Sequence, residues 1–559
     1  MAENKRHKSN RSIASMSGLQ LSHGAGISEL EEKILKFWQE RKVFEKTLRG
    51  STQTGRRSTQ KKRGDFSFYD GPPFATGLPH YGHILASVIK DVIPRYETMK
   101  GKRVERIWGW DCHGLPIENI IEQDLGLKTK KDIEKFGVEK FNEAARSRVL
   151  EYVDDWEKII PRIGRWVDMD NAYHTMDANY TESVWWIFKN LYDKKLIYEG
   201  YKSMHICPRC ETTLSNFEVA QGYKDIRDSS VVLKFQIPNY KLQINSKESN
   251  SKLKTYVLAW TTPPWTLPGN VALAVNPNID YVEVSLARQH EETSTKDKVV
   301  TSHTTITPGR YILAKDILWK NLQSNAGFNE AKRLFEDPRK LNEGVLKYAN
   351  NFEGFKKEYN LKVFKGEELI GLNYEPLFDY YAKDKKLKNH QNGWKIYGAD
   401  FVKTDEGTGI VHIAPAFGAD DMALGQKYKL PFVQHVGMDG KFKNEAKDFA
   451  GMPVKPKGDW RSTDNKIIEY LEKSGNLLKS EEITHSYPHC WRCDTPLLNY
   501  AASSWFVKVE ALKKGKDRLL ENNKKINWVP GHIKEGRFGK GLEDAPDWAI
   551  SRSRYWGAQ

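Results

Sequence analysis

Four of the five cysteines fall in two matched pairs, Cys207-Pro-Arg-Cys210 and Cys490-Trp-Arg-Cys493. Two thiolates at that spacing let one tight turn grip a tetrahedral ion, so two such turns supply a four-sulfur structural zinc site. The pairs lie 280 positions apart. A single compact ribbon does not normally tolerate that gap, so a whole domain is expected between its halves. Unrelated buried cysteines are the competing reading, and Cys112 reads as a small buried residue beside Asp111. A second constellation is His80-Tyr81-Gly82-His83. Two imidazoles three apart share one helical face. At a helix N-terminus, free N–H groups and the positive dipole end attract phosphate, and both rings could donate to phosphoryl oxygens as charge builds there. A metal pair or two surface histidines fit the same spacing. Asp111 suits either a substrate ammonium, which needs a charged partner once buried, or a helix N-cap.

The elements that must position these residues follow from pattern. Asp65–Tyr69 reads as a short buried strand, GPPFATGLP is dense in turn formers, and a helix begins near His80 and closes at Gly101. A second strand, Val104 to Trp110, leads through DCHGLP into another helix. Strand, turn, helix and strand in this order predict a parallel α/β sheet with its ligand site at the carboxyl ends of the strands. Upstream, Leu30, Ile34, Phe37, Trp38 and Val43 recur at helical spacing from Ile27, with Ser28 placed to cap and Glu31 three residues on. Residues 1–27 read as a disordered basic tail. Thr47 to Gly64 carries six basic residues and no acid, which suits a solvated loop or a contact to RNA phosphates. Beyond Gly222 the texture turns β-rich to about residue 435, with loops or insertions expected at 286–306 and 322–350.

Composition sets the bounds. A chain of 559 residues is multidomain by default, and its seventeen tryptophans predict a large aromatic core. No apolar run is long enough to cross a bilayer, and MAENKRHKSNRS lacks the apolar core of a secretory signal, so a cytoplasmic protein with no membrane partner is expected. Five cysteines exclude a secreted disulfide framework. The formal charge of +15 implies a polyanionic partner or a solubilising surface.

DGPPFATGLPHYGH followed by RIWGWDCHGLPIE resembles the start of the class I aminoacyl-tRNA synthetases, and within them the isoleucine-specific branch. The resemblance implies an α/β protein: a Rossmann-like parallel-sheet catalytic domain, incomplete, with an inserted β-rich editing domain and a small zinc-binding module. Its expected divisions are the tail at 1–27, the first catalytic half at 28–205, the zinc halves at 206–222 and within 436–505, the editing insertion at 223–435, and the start of the second catalytic half at 506–559. His80 and His83 would bind ATP and stabilise the adenylation transition state, with Gly82 letting the nucleotide approach. Gly71 and Pro72 would line the side-chain pocket, Asp111 would hold the amino group, and Trp556 matches a pocket residue. Trp260-Thr-Thr-Pro-Pro-Trp-Thr-Leu-Pro-Gly-Asn270 and the segment Gly407 to Asp421 resemble the two signatures of the hydrolytic editing domain. By match, Thr261, Thr262 and Asn270 position ester and water, His412 contacts the terminal ribose, and Asp421 holds the free amino group. Pro263 stands where the family usually has a third threonine, which removes a hydroxyl and a backbone donor. The implied partners are isoleucine, ATP with Mg2+, structural Zn2+ and tRNA(Ile), acting as a monomer at full length.

The need for editing is physical: a hydrophobic pocket gains only about 1–3 kcal/mol from one methylene, this family's choice between isoleucine and valine being the standard illustration of that limit. The segment after Phe506 resembles the approach to the second half of the catalytic sheet. The Lys-Met-Ser-Lys-Ser signature does not occur within the 559 residues, no anticodon-binding helical region is expected among them, and Gly541 and Ala558-Gln559 look atypical of the family. The 559 residues alone are therefore not expected to complete aminoacylation. Rival readings are a truncated tRNA-binding or deacylating module, one half of a split synthetase, and a zinc-ribbon nucleic-acid protein without catalysis.

Overall fold

The computed structural model describes residues 26–48, 64–238, 253–286, 290–296, 299–323, 347–348, 351–516 and 518–558. Two compact units emerge, Met1–Asn190 with Arg554–Gln559, and Leu191–Ser553. Among the described residues no helix is long and apolar enough to cross a membrane.

In the first unit the strand Ile107–Trp110 pairs in parallel with Asp168–His174, and isolated parallel bridges join Asp65 to Arg103 and Phe74 to Asp111. Gly109 makes the central pairing possible: a Cβ there would stand 2.2 Å from the Tyr173 ring. The helices Tyr81–Met99 and Leu115–Asp124 form where the pattern predicts, the second directly after the strand Ile107–Trp110 and its turn. Their core gathers Trp108, Trp110, Trp156, Ile117, Ile133, Phe141 and, from the far end of the chain, Trp556.

Three local expectations are corrected here. Asp65–Tyr69 forms no strand beyond the Asp65 bridge; Tyr69 is 92% exposed, and Pro72 and Pro73 have no N–H to extend a ladder. The first helix, Ile27–Glu40, is preceded by Gly26 and has no side-chain cap. Ser28 and Glu31 instead take the Arg162 guanidinium, at 3.1 and 3.0 Å. The N-cap of Leu115–Asp124 is Gly114, with φ at 97°, so Asp111 is not the cap. Residues 1–25 of the expected tail and 49–63 of the basic stretch lie outside the described residues.

The second unit is built on an 11-stranded mixed sheet. Its main path runs Lys362–Lys365, Asp280–Leu286, Gly309–Ala314, Thr255–Thr261, Tyr223–Ile237, Leu477–Pro488, Val299–Ile306 and His290–Lys296. The strand Leu477–Pro488 comes from outside 223–435, yet pairs with Tyr223–Ile237 from Tyr223 as far as Leu233. The last two strands replace the loop expected at 286–306. Their sequences, HEETSTK and VVTSHTTI, are rich in Thr and Val, which suit a pleated backbone without showing an apolar period. Of 322–350, only Leu322–Gln323, ending the helix Lys315–Gln323, and Lys347–Tyr348 are described. A separate four-stranded sheet, Trp548–Ala549, Leu498–Val507, Ile197–Cys207 and Thr212–Thr213, carries Cys207 at a strand end.

Candidate functional site

His80 is the N-cap of Tyr81–Met99. Its Nδ1 accepts the Gly82 N–H at 3.0 Å, while His83 Nδ1 accepts the His80 N–H at 3.2 Å, a reciprocal capping box. The rings stack with centroids 3.7 Å apart. Gly82 has a local reason: a Cβ would meet the His80 ring at 2.8 Å. Partial burial, then the charges of His80 and Lys90, hold His83 below the ordinary histidine pKa. Both imidazoles thus present their Nε2 edges at a helix terminus whose dipole favours an anion.

The histidine pair is linked to the strand end through Trp156. That ring lies 4.9 Å from His83 and 5.9 Å from Trp110, and its Nε1 donates to Gly77 O at 2.9 Å. Directly after Trp110, Asp111 donates its N–H to Pro73 O at 2.8 Å, and its Oδ1 lies 3.5 Å from both His113 N and Thr175 Oγ1. The carboxylate is half-buried at the carboxyl end of a parallel strand. Gly71 is exposed and Pro72 half-buried in the turn before Pro73. Trp556 donates its Nε1 to Cys112 O at 2.6 Å, so it underlies the Asp111–Gly114 turn.

The two segments matched to editing, some 140 residues apart, are ladder neighbours. Val411–Ile413 lies between Thr255–Thr261, where Val411 pairs with Trp260, and Ala272–Val275, where His412 pairs with Leu273. Thr261 is buried at its strand end, and Thr262 donates its hydroxyl to Ser229 O at 2.7 Å. Asn270 is engaged at both ends, donating to Ala272 O at 2.9 Å and accepting from Tyr374 at 2.6 Å; it braces the loop. Asp421, in the first turn of Ala419–Tyr428, accepts the Ala414 N–H at 2.8 Å. Burial raises its pKa to about 7. Burial likewise lowers His412 to about 4, so that imidazole is neutral at physiological pH.

Sequence reasoning missed Thr266, although it lies within the first matched segment. Its Oγ1 is 3.0 Å from His412 Nε2 and donates to Pro263 O at 3.0 Å, bringing a hydroxyl close to where Pro263 removes one. The available signal was its spacing, one 3₁₀ turn after Pro263. His412 Nδ1, His435 Nδ1 and Trp265 Nε1 are buried without a protein partner among the described residues, and buried polar atoms of this kind are ordinarily satisfied by water or ligand. A concealed ion-pair network was also missed: Lys455 Nζ stands 2.7 Å from both Asp228 and Asp464, all fully buried, and Asp464 accepts the Trp265 N–H at 3.1 Å.

The four cysteines of the two pairs meet. Their Sγ atoms lie within 4.8 Å of one another, with Cys207 and Cys210 at 3.4 and 3.8 Å from Cys493, and none is disulfide-bonded. A tetrahedral zinc with Zn–S of about 2.3 Å separates its sulfurs by about 3.8 Å, so the donor set fits that ion. The two turns match in backbone as well as sequence: Glu211 and Asp494, each just after the second cysteine, sit left-handed at φ 49° and 60°. Gly222 permits the approach. Its carbonyl accepts the His489 N–H at 2.8 Å, and a Cβ would fall 1.9 Å from His489 O. Shared S–H hydrogen bonds lower Cys490 to about 7 and lower Cys493 further, while Cys207 and Cys210 are raised.

The family model for tRNA synthetases class I (I, L, M and V) matches residues 33–559, and the chain belongs to that family. It is 45% identical over 544 residues to the isoleucine–tRNA ligase of Treponema denticola, covering 95% of this chain and 44% of that protein. The corresponding ligase of Clostridium novyi is 43% identical over 529 residues, covering 94% of this chain and 42% of that protein. The chain thus spans less than half the length of these relatives. Among solved structures, a ternary complex of Agrobacterium radiobacter K84 agnB2 LeuRS, tRNA and LeuAMS is similar at TM-score 0.26 and 15% identity, over 93% of this chain and 57% of that one. The P. knowlesi cytosolic leucyl-tRNA synthetase editing domain is similar at TM-score 0.29 and 16% identity, over 47% of this chain and 99% of that one.

Proposed function

We propose that the first unit binds ATP and isoleucine for formation of isoleucyl-adenylate, and that the second hydrolyses valine wrongly attached to tRNA(Ile). The observation carrying this reading is identity of 43–45% to isoleucine–tRNA ligases sustained over 94–95% of the chain. His80 and His83 face the ATP phosphates, with Mg2+ as their counter-ion, and stabilise charge as the amino-acid carboxylate attacks the α-phosphorus and pyrophosphate leaves. Asp111 pairs with the substrate ammonium, while Gly71, Pro72 and Trp556 bound the side-chain pocket.

In the editing unit, Thr261, Thr262 and Thr266 place hydroxyls around the ester, neutral His412 contacts the ribose, and Asp421 pairs with the free ammonium. Asn270 keeps the loop in place. Hydrolysis then rests on placing water. The four cysteines hold a structural Zn2+ that lets all four sulfurs ionise.

Deacylation of valyl-tRNA(Ile) and isoleucyl-tRNA(Ile) by the purified chain tests the second half of the reading. The valyl ester should be cleaved preferentially, and Asp421→Asn should remove most of that activity. Equal hydrolysis of both esters, or full activity in the variant, contradicts it.

A further inference from the structure

Glu118 is fully buried on Leu115–Asp124, the helix that follows the Asp111 turn. Its Oε1 accepts two consecutive backbone N–H groups, Tyr555 at 2.9 Å and Trp556 at 2.7 Å. Its Oε2 meets the Arg554 guanidinium, which also reaches Glu122, one turn further along the helix. Arg554, Glu118 and Glu122 are all nearly solvent-free, so one guanidinium serves two buried carboxylates, and the two backbone N–H groups on Glu118 offset part of the charge that remains. Trp556 then closes the loop on the opposite side. Its Nε1 donates to Cys112 O at 2.6 Å, its carbonyl accepts the Gly114 N–H at 3.2 Å, and its indole lies edge-on to His113 at 5.2 Å. One carboxylate therefore ties together two stretches more than 430 residues apart, the Asp111–Gly114 turn through its helix and the Arg554–Trp556 segment through its backbone.

We infer that Glu118 is a positioning residue of the amino-acid pocket, setting the distance between the Asp111 carboxylate and the Trp556 indole. This rests on the reading that Asp111 and Trp556 receive the amino acid. A carboxylate that accepts two adjacent amides fixes the direction of the backbone that carries the indole, whereas packing alone leaves rotation about that segment open. A shift of the indole relative to Asp111 alters the room for a side chain while the ammonium stays anchored. The consequence belongs to specificity: isoleucine and valine differ where the indole would bound the pocket, and their ammonium groups do not differ.

The test is binding of the isoleucyl and valyl sulfamoyl-adenosine analogues to the 559-residue chain by titration calorimetry. Glu118→Gln keeps the shape and an acceptor oxygen while losing the charge that holds Arg554. It is expected to weaken the isoleucyl analogue about tenfold and to reduce the isoleucyl-to-valyl affinity ratio at least threefold. Ile133→Val loosens the same core without touching the clasp, and should leave the ratio unchanged. Asp111→Asn should weaken both analogues together. Loss of ratio in Glu118→Gln but not in Ile133→Val supports the assignment. An unaltered ratio in Glu118→Gln, with Asp111→Asn impaired, overturns the Glu118 role alone. Failure of the unaltered chain to bind either analogue, or full binding by Asp111→Asn, overturns the underlying pocket reading with it.

Discussion

At Asp421 a carboxylate is held where burial resists its charge, and the sign of the consequence is fixed. Its pKa of about 7 in the fold lies above the ordinary value near 4, so its contribution to stability is complete below pH ~4 and is lost as pH rises to about 7. Asp421→Asn does not ionise. Its melting temperature, relative to the unaltered chain, should rise between pH 4 and 7 and level off above; a constant difference across that range would falsify this assignment of the titration. The same carboxylate must be charged to hold an ammonium, so valyl-tRNA(Ile) hydrolysis should increase through pH 7. Gly109 shows another single-residue constraint. Gly109→Ala is expected to destabilise the first unit by about 1–3 kcal/mol through overlap with Tyr173. Denaturant titration should find much of that recovered when Tyr173 is also shortened to alanine.

Among the elements, the two cysteine turns had a legible donor set but an illegible approach. Cys-x-x-Cys twice over is a chemical signal in the chain; the contact that lets the turns close, Gly222 against His489, carries no motif. Gly222→Ala should therefore reduce bound zinc, measured by mass spectrometry of the purified protein, as Cys490→Ser should directly. Full zinc occupancy in both variants would refute a metal role for the cluster. The helix Tyr81–Met99 likewise conceals something its N-terminal histidines did not announce. Leu85, Val88, Ile89, Val92, Ile93 and Tyr96 are each 46–64% exposed at helical spacing. Apolar stripes of this extent bind dyes or partners. The chain should enhance anilinonaphthalene sulfonate fluorescence, and Val88→Glu with Val92→Lys should diminish it while far-ultraviolet dichroism stays unchanged.

Over the whole molecule, the largest single stability effect is expected from Lys455, whose ammonium holds the two buried carboxylates Asp228 and Asp464. Lys455→Met leaves both buried without it and should cost about 3–5 kcal/mol, read as a lower urea midpoint. A shift under about 1 kcal/mol would show that the pocket admits water. These three residues are scattered through polar segments, and nothing in their spacing betrays that folding joins them. The sequence alone stated the candidate chemistry: paired cysteines, two histidines at a helix start, an aspartate after a strand and two editing-like segments are local strings of chemically distinctive residue types. It also determined the two helices at Tyr81–Met99 and Leu115–Asp124 and the strand ending at Trp110, because apolar periodicity and turn residues act over a few positions, but it misplaced a strand at Asp65–Tyr69. The strands at 290–306 escaped because they pair through backbone groups that every residue carries. Only the tertiary structure decided that Val411–Ile413 lies beside the Thr261 segment, that Leu477–Pro488 completes the large sheet, and that Glu118 grips the backbone of Trp556. Such contacts depend on long-range burial and desolvation, which are properties of the assembled core rather than of any stretch of chain.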